Sequence, residues 1–320
     1  MYELAINYDQ IERIAEILSK IVKNQSIDPF TNPDYYPPPG TDFEALTMYF
    51  LVMVSMDHRL SRPNKPYEME INGKKYHGAD LLYKLGMNMF ESNPYFFTAS
   101  HLSHITEGEV EKWFAPTGVV KPADLKMRTL LLRDIGRKLR ELFDRSAYNI
   151  VEYSKGYLKN RGTGFIELLK SFIAYQDPVE KKAFLLAKFL ERRRVLQIID
   201  SWNKEVPVDN HLTRLAIRWG LIDLDQELLE KISYGLPFSE KEDILLRYYV
   251  QIAFRLVSQK AGIDPFVLDD FLWNFGRTTC RRDNPACIQT DICPLMDYCR
   301  AFSNRLYMVG EHSYYETWYY

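Results

Sequence analysis

Cysteine is missing from the first 279 residues of this 320-residue chain, and a long apolar run is missing from all of it. The longest such run, residues 45–56, is far shorter than the roughly 20 residues that span a bilayer, so we interpret it as a buried helix. The opening residues also lack the basic leader, apolar core and cleavage site of a secretory signal. We therefore expect a cytoplasmic monomer that has no membrane partner.

An excess of positive charge is missing as well, because 41 basic residues are balanced by 43 acidic ones and the formal net charge is -2. No global positive field therefore predicts a nucleic-acid partner. Basic residues do cluster locally, which leaves nucleic-acid binding open but is equally typical of solvated helix faces. The clusters are Arg133, Arg137, Lys138 and Arg140, and Lys181, Lys182, Lys188, Arg192, Arg193 and Arg194.

Helical periodicity dominates the chain and predicts a mainly α, two-lobed fold. Apolar residues recur at helical spacing over residues 3–24 and in successive segments from about residue 79 onward, including 146–159, 210–219, 226–233 and 240–261. Only residues 67–77 alternate as strands do, on both sides of Asn72-Gly73, a dipeptide that favours a type I′ hairpin.

We divide the chain into four regions by its patterns and motifs. Residues 1–125 form a helical region with the hairpin, 126–276 a helical core, 277–302 a cysteine loop, and 303–320 a tail that ends in SYYETWYY. Aromatic side chains in such a tail either pack on the fold or stack on bases, and packing is favoured.

The four cysteines are separated by six, five and five residues, without a closely spaced pair. Disulfides are rare in intracellular proteins, so this grouping indicates metal or cluster ligation. Structural zinc sites usually use closely spaced pairs of ligands, whereas the corners of an iron–sulfur cubane tolerate wider loops. The spacing favours a cluster over zinc, and zinc remains the alternative.

This segment resembles the iron–sulfur loop of the endonuclease III and adenine-mismatch glycosylases, which belong to the helix–hairpin–helix glycosylase superfamily. The first and last gaps match, as do Pro285, two residues before the second cysteine, and Pro294, directly after the third. The middle gap of five departs from that family's usual two. The resemblance implies a structural or redox [4Fe–4S] cluster with four ligands. These are Cys280, Cys287, Cys293 and Cys299.

Asp209 occupies the N-cap position of the helix predicted over residues 210–219, where an aspartate is commonplace. The phrase VPVDNHL around it, however, resembles the superfamily signature in which Pro-Val-Asp precedes a helix that bears an arginine and ends near Gly-Leu. The resemblance implies that Asp209 is the catalytic carboxylate. A fixed carboxylate stabilises the positive charge that develops on the sugar as a glycosidic bond breaks.

Residues 177–188 and 262–276 resemble the archaeal 8-oxoguanine glycosylases, in which a lysine attacks the sugar. Lys181 then matches the Schiff-base lysine, with Lys182 as the second candidate, and a solvated helix face is the plain alternative. A lysine nucleophile needs a free amine, which burial or a neighbouring cation favours. The glycine-rich hairpin that holds a DNA phosphate in that family is not recognisable, because Gly162 and Gly164 lie too far upstream.

Polar residues beside apolar runs predict a pocket that reads a base, although a buried polar network looks the same. The candidates are Asp57, His58, His77, His211 and Arg214.

The leading functional prediction is a DNA repair glycosylase, with or without lyase activity at the abasic product, whose partner is DNA with a damaged or modified base. The residues before 170 bear a weaker likeness to the queuosine-nucleotide hydrolases, which implies a small modified nucleotide as the alternative substrate. A noncatalytic nucleic-acid-binding protein is the third hypothesis.

Overall fold

The computed structural model describes residues 4–22, 27–61, 65–290 and 292–320. The chain is mainly α, as predicted. The helices are α1 Tyr8–Ile21, α2 Phe43–Ser55, α3 Ala79–Ser92, α4 Ala99–Leu102, α5 Glu107–Phe114, α6 Leu125–Leu142, α7 Tyr148–Ser154, α8 Phe165–Leu169, α9 Lys181–Arg192, α10 Asn210–Trp219, α11 Gln226–Ser233, α12 Glu240–Ala261, α13 Pro265–Thr278, α14 Ala286–Gln289 and α15 Arg300–Ser303. The strands are β1 Leu4–Ile6, β2 Glu68–Ile71, β3 Lys74–His77 and β4 Ile222–Leu224.

The described residues form two compact units. The first, which we call the terminal unit, comprises the described residues of Met1–Ile27 and Lys204–Thr317. The second, the central unit, comprises those of Asp28–Asn203 and Trp318–Tyr320. The four regions proposed from the sequence were divided by sequence motifs, whereas the two units are defined by spatial contacts, so the four regions stay a prediction. No helix in the described ranges combines the length and apolarity needed to cross a bilayer.

In the terminal unit, α1 packs along α12, and β1 pairs antiparallel with β4. The predicted helix over residues 3–24 is wrong at its start, because Leu4–Ile6 is a strand; residues 3, 23 and 24 lie outside the described part of the chain. The helix begins only after Asn7, whose side chain accepts a hydrogen bond from the amide of Gln10.

In the central unit, α2 is buried along almost its whole length, which confirms the buried helix expected over residues 45–56. The hairpin is also confirmed: β2 pairs with β3, and Asn72 and Gly73 have the positive φ angles that a type I′ turn requires. The end of the tail packs on this unit, where the Nε1 of Trp318 donates to the carbonyl of Ile173 at 3.1 Å.

Candidate active site

Asp209 lies where the sequence predicts it, at the N-cap of α10 in the terminal unit. Its Oδ1 accepts a hydrogen bond from the Leu212 amide at 2.9 Å, and the residue is half-buried. Within the described part of the chain its Oδ2 accepts no hydrogen bond. The helix ends at Gly220, which adopts the left-handed conformation typical of a C-cap. The carboxylate is therefore held through one of its two oxygens.

His211 lies two residues after Asp209 and its ring contacts Gly276 of α13. Burial lowers the pKa of His211, although the nearby charge of Asp209 acts in the opposite direction. The buried Nε2 has no hydrogen-bond partner among the described residues. The imidazole is therefore close enough to Asp209 to sense its charge, while its Nε2 is buried against Gly276.

The contact between His211 and Gly276 predicts that Gly276→Ala is destabilising. An added Cβ would lie 2.0 Å from Nε2 of His211, and overpacking typically costs about 1–3 kcal/mol. That cost exceeds the gain of about 1 kcal/mol that alanine brings inside a helix.

Gly310→Ala is the control for this substitution, because its Cβ would meet only Nε of Arg282 at 3.7 Å. Urea denaturation should show a lower free energy of unfolding for Gly276→Ala and a change within about 0.5 kcal/mol for Gly310→Ala. Equal values for both variants would contradict the described position of His211.

Arginine side chains of α10 bind the cysteine loop. Arg214 is buried, and its Nη2 donates to the carbonyls of Gly276 and Cys280, both at 2.9 Å, while its Nη1 pairs with Glu311. The guanidinium of Arg214, proposed from the sequence as a substrate contact, is thus engaged within the protein.

Arg218 lies one turn further along α10 and is also buried. Its guanidinium donates to the carbonyls of Arg281 and Arg282, and its Nη1 lies 3.5 Å from the Sγ of Cys280. The thiol of Cys299 in turn donates to the carbonyl of Arg218 at 3.1 Å. The helix capped by Asp209 and the cysteine loop are therefore one hydrogen-bonded assembly.

The four cysteines line a single cavity in the terminal unit, together with Arg218, Trp219, Met296 and Met308. Burial raises the pKa of the Cys287 thiol, that of Cys293 to about 11 and that of Cys299 to about 12. Thiols in this state stay protonated at neutral pH, so ligation would have to displace their protons.

These thiols share a cavity without forming an obvious single-ion site. Across the described ranges, no group of three or more histidine, cysteine, aspartate or glutamate side chains is arranged to hold one metal ion. Asp291, in the middle of the long second gap, lies outside the described residues. Four sulfurs line one cavity, and a guanidinium nitrogen of Arg218 lies beside that of Cys280.

Lys181 is the first residue of α9 in the central unit, whereas Asp209 belongs to the terminal unit. Its Nζ lies 3.2 Å from the carbonyl oxygen and 3.4 Å from Oδ2 of Asp57. The lysine side chain is 8% exposed and that of Asp57 is 20% exposed. Two residues that the sequence proposed independently are thus paired at the edge of the core.

Lys182 and Arg128 bind the backbone that follows α2. The Nζ of Lys182 donates to the carbonyl of Ser55 at 2.6 Å and lies 3.2 Å from Nδ1 of His58. Arg128, which the sequence did not single out, donates to the carbonyls of Met56, His58 and Arg59. Burial, and then the charges of Lys181 and Arg128, hold the pKa of Lys182 well below its usual range.

Two buried polar atoms near this cluster have no partner among the described residues: Nε2 of His58 and the hydroxyl of Tyr83. Burial raises the pKa of Tyr83 well above its usual range, and the negative charge of Asp57 adds to this effect. Buried polar groups normally find partners, so each of these two atoms calls for one, such as an ordered water molecule.

Burial holds the pKa of His58 well below its usual range, and the charges of Arg128, Lys182 and Lys181 lower it further. The folded protein therefore keeps this imidazole neutral, whereas the unfolded chain protonates it near pH 6.5. Below that pH the unfolded state binds more protons, so we expect stability to fall as pH falls, by up to about 1.4 kcal/mol per pH unit.

Urea denaturation between about pH 5 and pH 7.5 would measure this dependence. His58→Gln should flatten it, whereas His77→Gln at the exposed end of β3 should leave it as in the wild type. A slope in His58→Gln that equals the wild-type slope would show that His58 is not the group responsible. His77, proposed as a pocket residue, takes no part in the contacts of Asp57 and His58 described above.

The turn before Lys181 is built by acidic residues. Asp177 accepts hydrogen bonds from the amides of Val179 and Lys181, at 3.1 and 3.0 Å. Glu180 adopts a left-handed conformation and is paired with Lys159 and Lys170, at 2.7 and 2.6 Å. The Asp177 carboxylate therefore occupies two amides of this turn, and the Glu180 carboxylate is balanced by two lysines.

A scan of protein-family models and a search of curated proteins find no match to this chain.

Proposed function

We propose that the protein is an N-glycosylase of the helix–hairpin–helix superfamily that releases a damaged or modified base from DNA. The observation that carries the proposal is the Asp209 carboxylate, with one oxygen fixed by the Leu212 amide and the other unengaged by the described residues. The neutral imidazole of His211 and the tethering of α10 through Arg218 support it, because a catalytic carboxylate needs a rigid position.

The chemistry follows from the position of this carboxylate. When the bond between the sugar C1′ and the base nitrogen breaks, the bonding electrons leave with the base, which takes up a proton from solvent water, and positive charge develops on the sugar. Asp209 stabilises that charge and accepts the proton that an attacking water loses. A neutral His211 can donate one N–H to the substrate without adding positive charge beside the developing cation.

Lyase activity would use Lys181 rather than Lys182. Lys182 is fully buried and donates to the carbonyl of Ser55, whereas Lys181 contacts the partly exposed Asp57. The amine would add to the C1′ carbonyl of the ring-opened abasic sugar and expel its oxygen as water, and the Asp57 carboxylate would accept the proton that the ammonium group first loses.

The four cysteines and Arg218 would hold a [4Fe–4S] cluster. When bound, the cluster would supply redox capacity and a structural anchor for the loop. The hydrolytic step assigned to Asp209 does not need it, since the carboxylate and water account for all bonds made and broken.

A small modified nucleotide is the second candidate substrate, and the turn before Lys181 favours it. The amides of Val179 and Lys181 in that turn are bonded to Asp177, so they do not offer a DNA backbone phosphate the free N–H groups that usually bind it. A small substrate does not need this contact with a nucleic-acid backbone.

Base release measured on a panel of oligonucleotides with single modified bases, and on the corresponding free nucleotides, tests the proposal. Cleavage of duplex DNA should weaken steeply with added salt, because binding releases counterions, whereas turnover of a small nucleotide should not. Release of a base from neither substrate class would contradict the N-glycosylase assignment.

A further inference from the structure

We propose that the central unit carries a second ligand site, a pocket of about 540 Å³ beside α6 that binds a nucleoside phosphate. None of its residues belongs to the Asp209 or Lys181 sites, so the proposal does not depend on the proposed function. The residues that carry the argument are Arg133, Asp134, Arg137, Arg140, Leu130 and Trp318.

The three arginines are spaced by four and three residues on α6, so they share one face of the helix. Each is anchored at one nitrogen. Arg133 donates through Nε to the carbonyl of Ile105 at 2.6 Å, and Arg140 donates through Nη1 to the hydroxyl of Ser103 at 3.1 Å. The other guanidinium nitrogens of these two side chains have no protein partner within the described residues.

Arg137 contacts Asp134, the one carboxylate among the described residues that line the pocket. Its Nη2 lies 3.3 Å from Oδ1 of Asp134, and Oδ2 of Asp134 accepts the amide of Ile173 at 2.8 Å. Asp134 is buried and Arg137 is 60% exposed. The pocket thus has three positively charged guanidinium groups and a single carboxylate, which is already hydrogen-bonded, so its net charge favours an anion. Planar guanidinium groups match the oxygens of a phosphate.

Trp318 gives the pocket an aromatic wall. The hydrogen bond from its Nε1 to the carbonyl of Ile173 fixes the indole, and the partly exposed Leu130 adds apolar surface. Aromatic faces stack on nucleobases, and a pocket of this volume accommodates a nucleotide rather than a phosphate ion alone. A ligand that combines a phosphate group with a flat ring is a nucleoside phosphate. It is either a free nucleotide or the phosphorylated end of a nucleic-acid strand.

Titration calorimetry of the full chain with the common nucleoside monophosphates, the matching nucleosides and inorganic phosphate tests the site. The monophosphates should bind at least about tenfold more tightly than either the nucleosides or phosphate, because only they make both kinds of contact. Equal binding of nucleoside and monophosphate, or binding of neither, overturns the proposal.

The same titration with a short nucleic-acid strand, with and without a terminal phosphate, distinguishes a free nucleotide from the end of a strand as the ligand. Tighter binding of the phosphorylated strand than of the free monophosphate assigns a strand end; weaker binding assigns the free nucleotide. Both results require the same pocket, so both must be lost in the arginine variants.

Arg137→Gln should weaken binding of the monophosphate by about 10- to 100-fold, the effect of one charged hydrogen bond. Lys126→Gln, an exposed lysine of the same helix outside the pocket, is the charge-matched control and should leave affinity unchanged. Trp318→Leu should weaken binding of the monophosphate and leave the affinity for inorganic phosphate unchanged. Equal affinities of Arg137→Gln and Lys126→Gln, with both variants folded by circular dichroism, would refute the site.

Discussion

Asp209→Asn is expected to lower the rate of base release by about 10²–10³-fold, the loss typical of removing one group that stabilises charge in a transition state. Asparagine keeps the side-chain oxygen that accepts the Leu212 amide, so the helix cap and the fold should survive. Only the negative charge is lost, and with it the attraction to the cationic sugar. Base release by chromatography, with turnover number and KM measured separately, checks the prediction.

Asp225→Asn is the matched control, because Asp225 caps α11 in the same unit through the amide of Leu228 at 2.8 Å. Both variants should unfold within about 0.5 kcal/mol of the wild type, and only the Asp209 variant should lose activity. If Asp209→Asn left glycosidic activity intact, the carboxylate would be a cap only. This comparison requires that the wild type releases a base. A noncatalytic nucleic-acid-binding protein would show no base release in the wild type or in either variant.

Cys293→Ser is expected to abolish both the colour and much of the stability of protein purified without oxygen. The wild type should be brown, absorb broadly at about 400 nm and contain about four iron atoms per chain. A ligand present at about a thousand times its dissociation constant stabilises the folded state by on the order of 4 kcal/mol, and the variant should lose a comparable amount.

Met308→Leu is the control for the cysteine variant, because Met308 lines the same cavity and the substitution conserves volume. It should keep the absorption and the iron. A colourless wild type with one zinc per chain would replace the cluster assignment by a structural zinc site. If the wild type contained no metal and were only as stable as Cys293→Ser, the cysteines would bind neither an iron–sulfur cluster nor zinc.

Local patterns predicted the local structure well. Apolar spacing, with Asp209 as the cap of the first, predicted α10, α11 and α12 at their observed bounds, because helix termini depend on side chains within one turn. The segment from 146 to 159 was predicted too long, and the helix there is only Tyr148–Ser154. Lys155 is left-handed, which ends the helix in a way that its apolar pattern does not reveal.

Longer-range features were missed for a different reason. The pairing of β1 with β4 joins segments more than 200 positions apart, and neither three-residue strand carries enough alternation to be seen alone. Arg128 and Arg218 looked like ordinary surface residues of helices, since a charged side chain is usually exposed. Their burial follows from carbonyl groups that other segments bring to them.

By itself, the sequence determined which residue types stand at the chemically important places: Asp209 before a capped helix, four cysteines at wide spacing, and adjacent lysines at the start of α9. Only the tertiary structure decided what these residues can do. It paired Lys181 with Asp57, enclosed Lys182 against Ser55, and bound Arg218 to the cysteine loop. The reason is physical, because burial and partner distance set the charge and reach of a side chain, and both depend on contacts between distant segments.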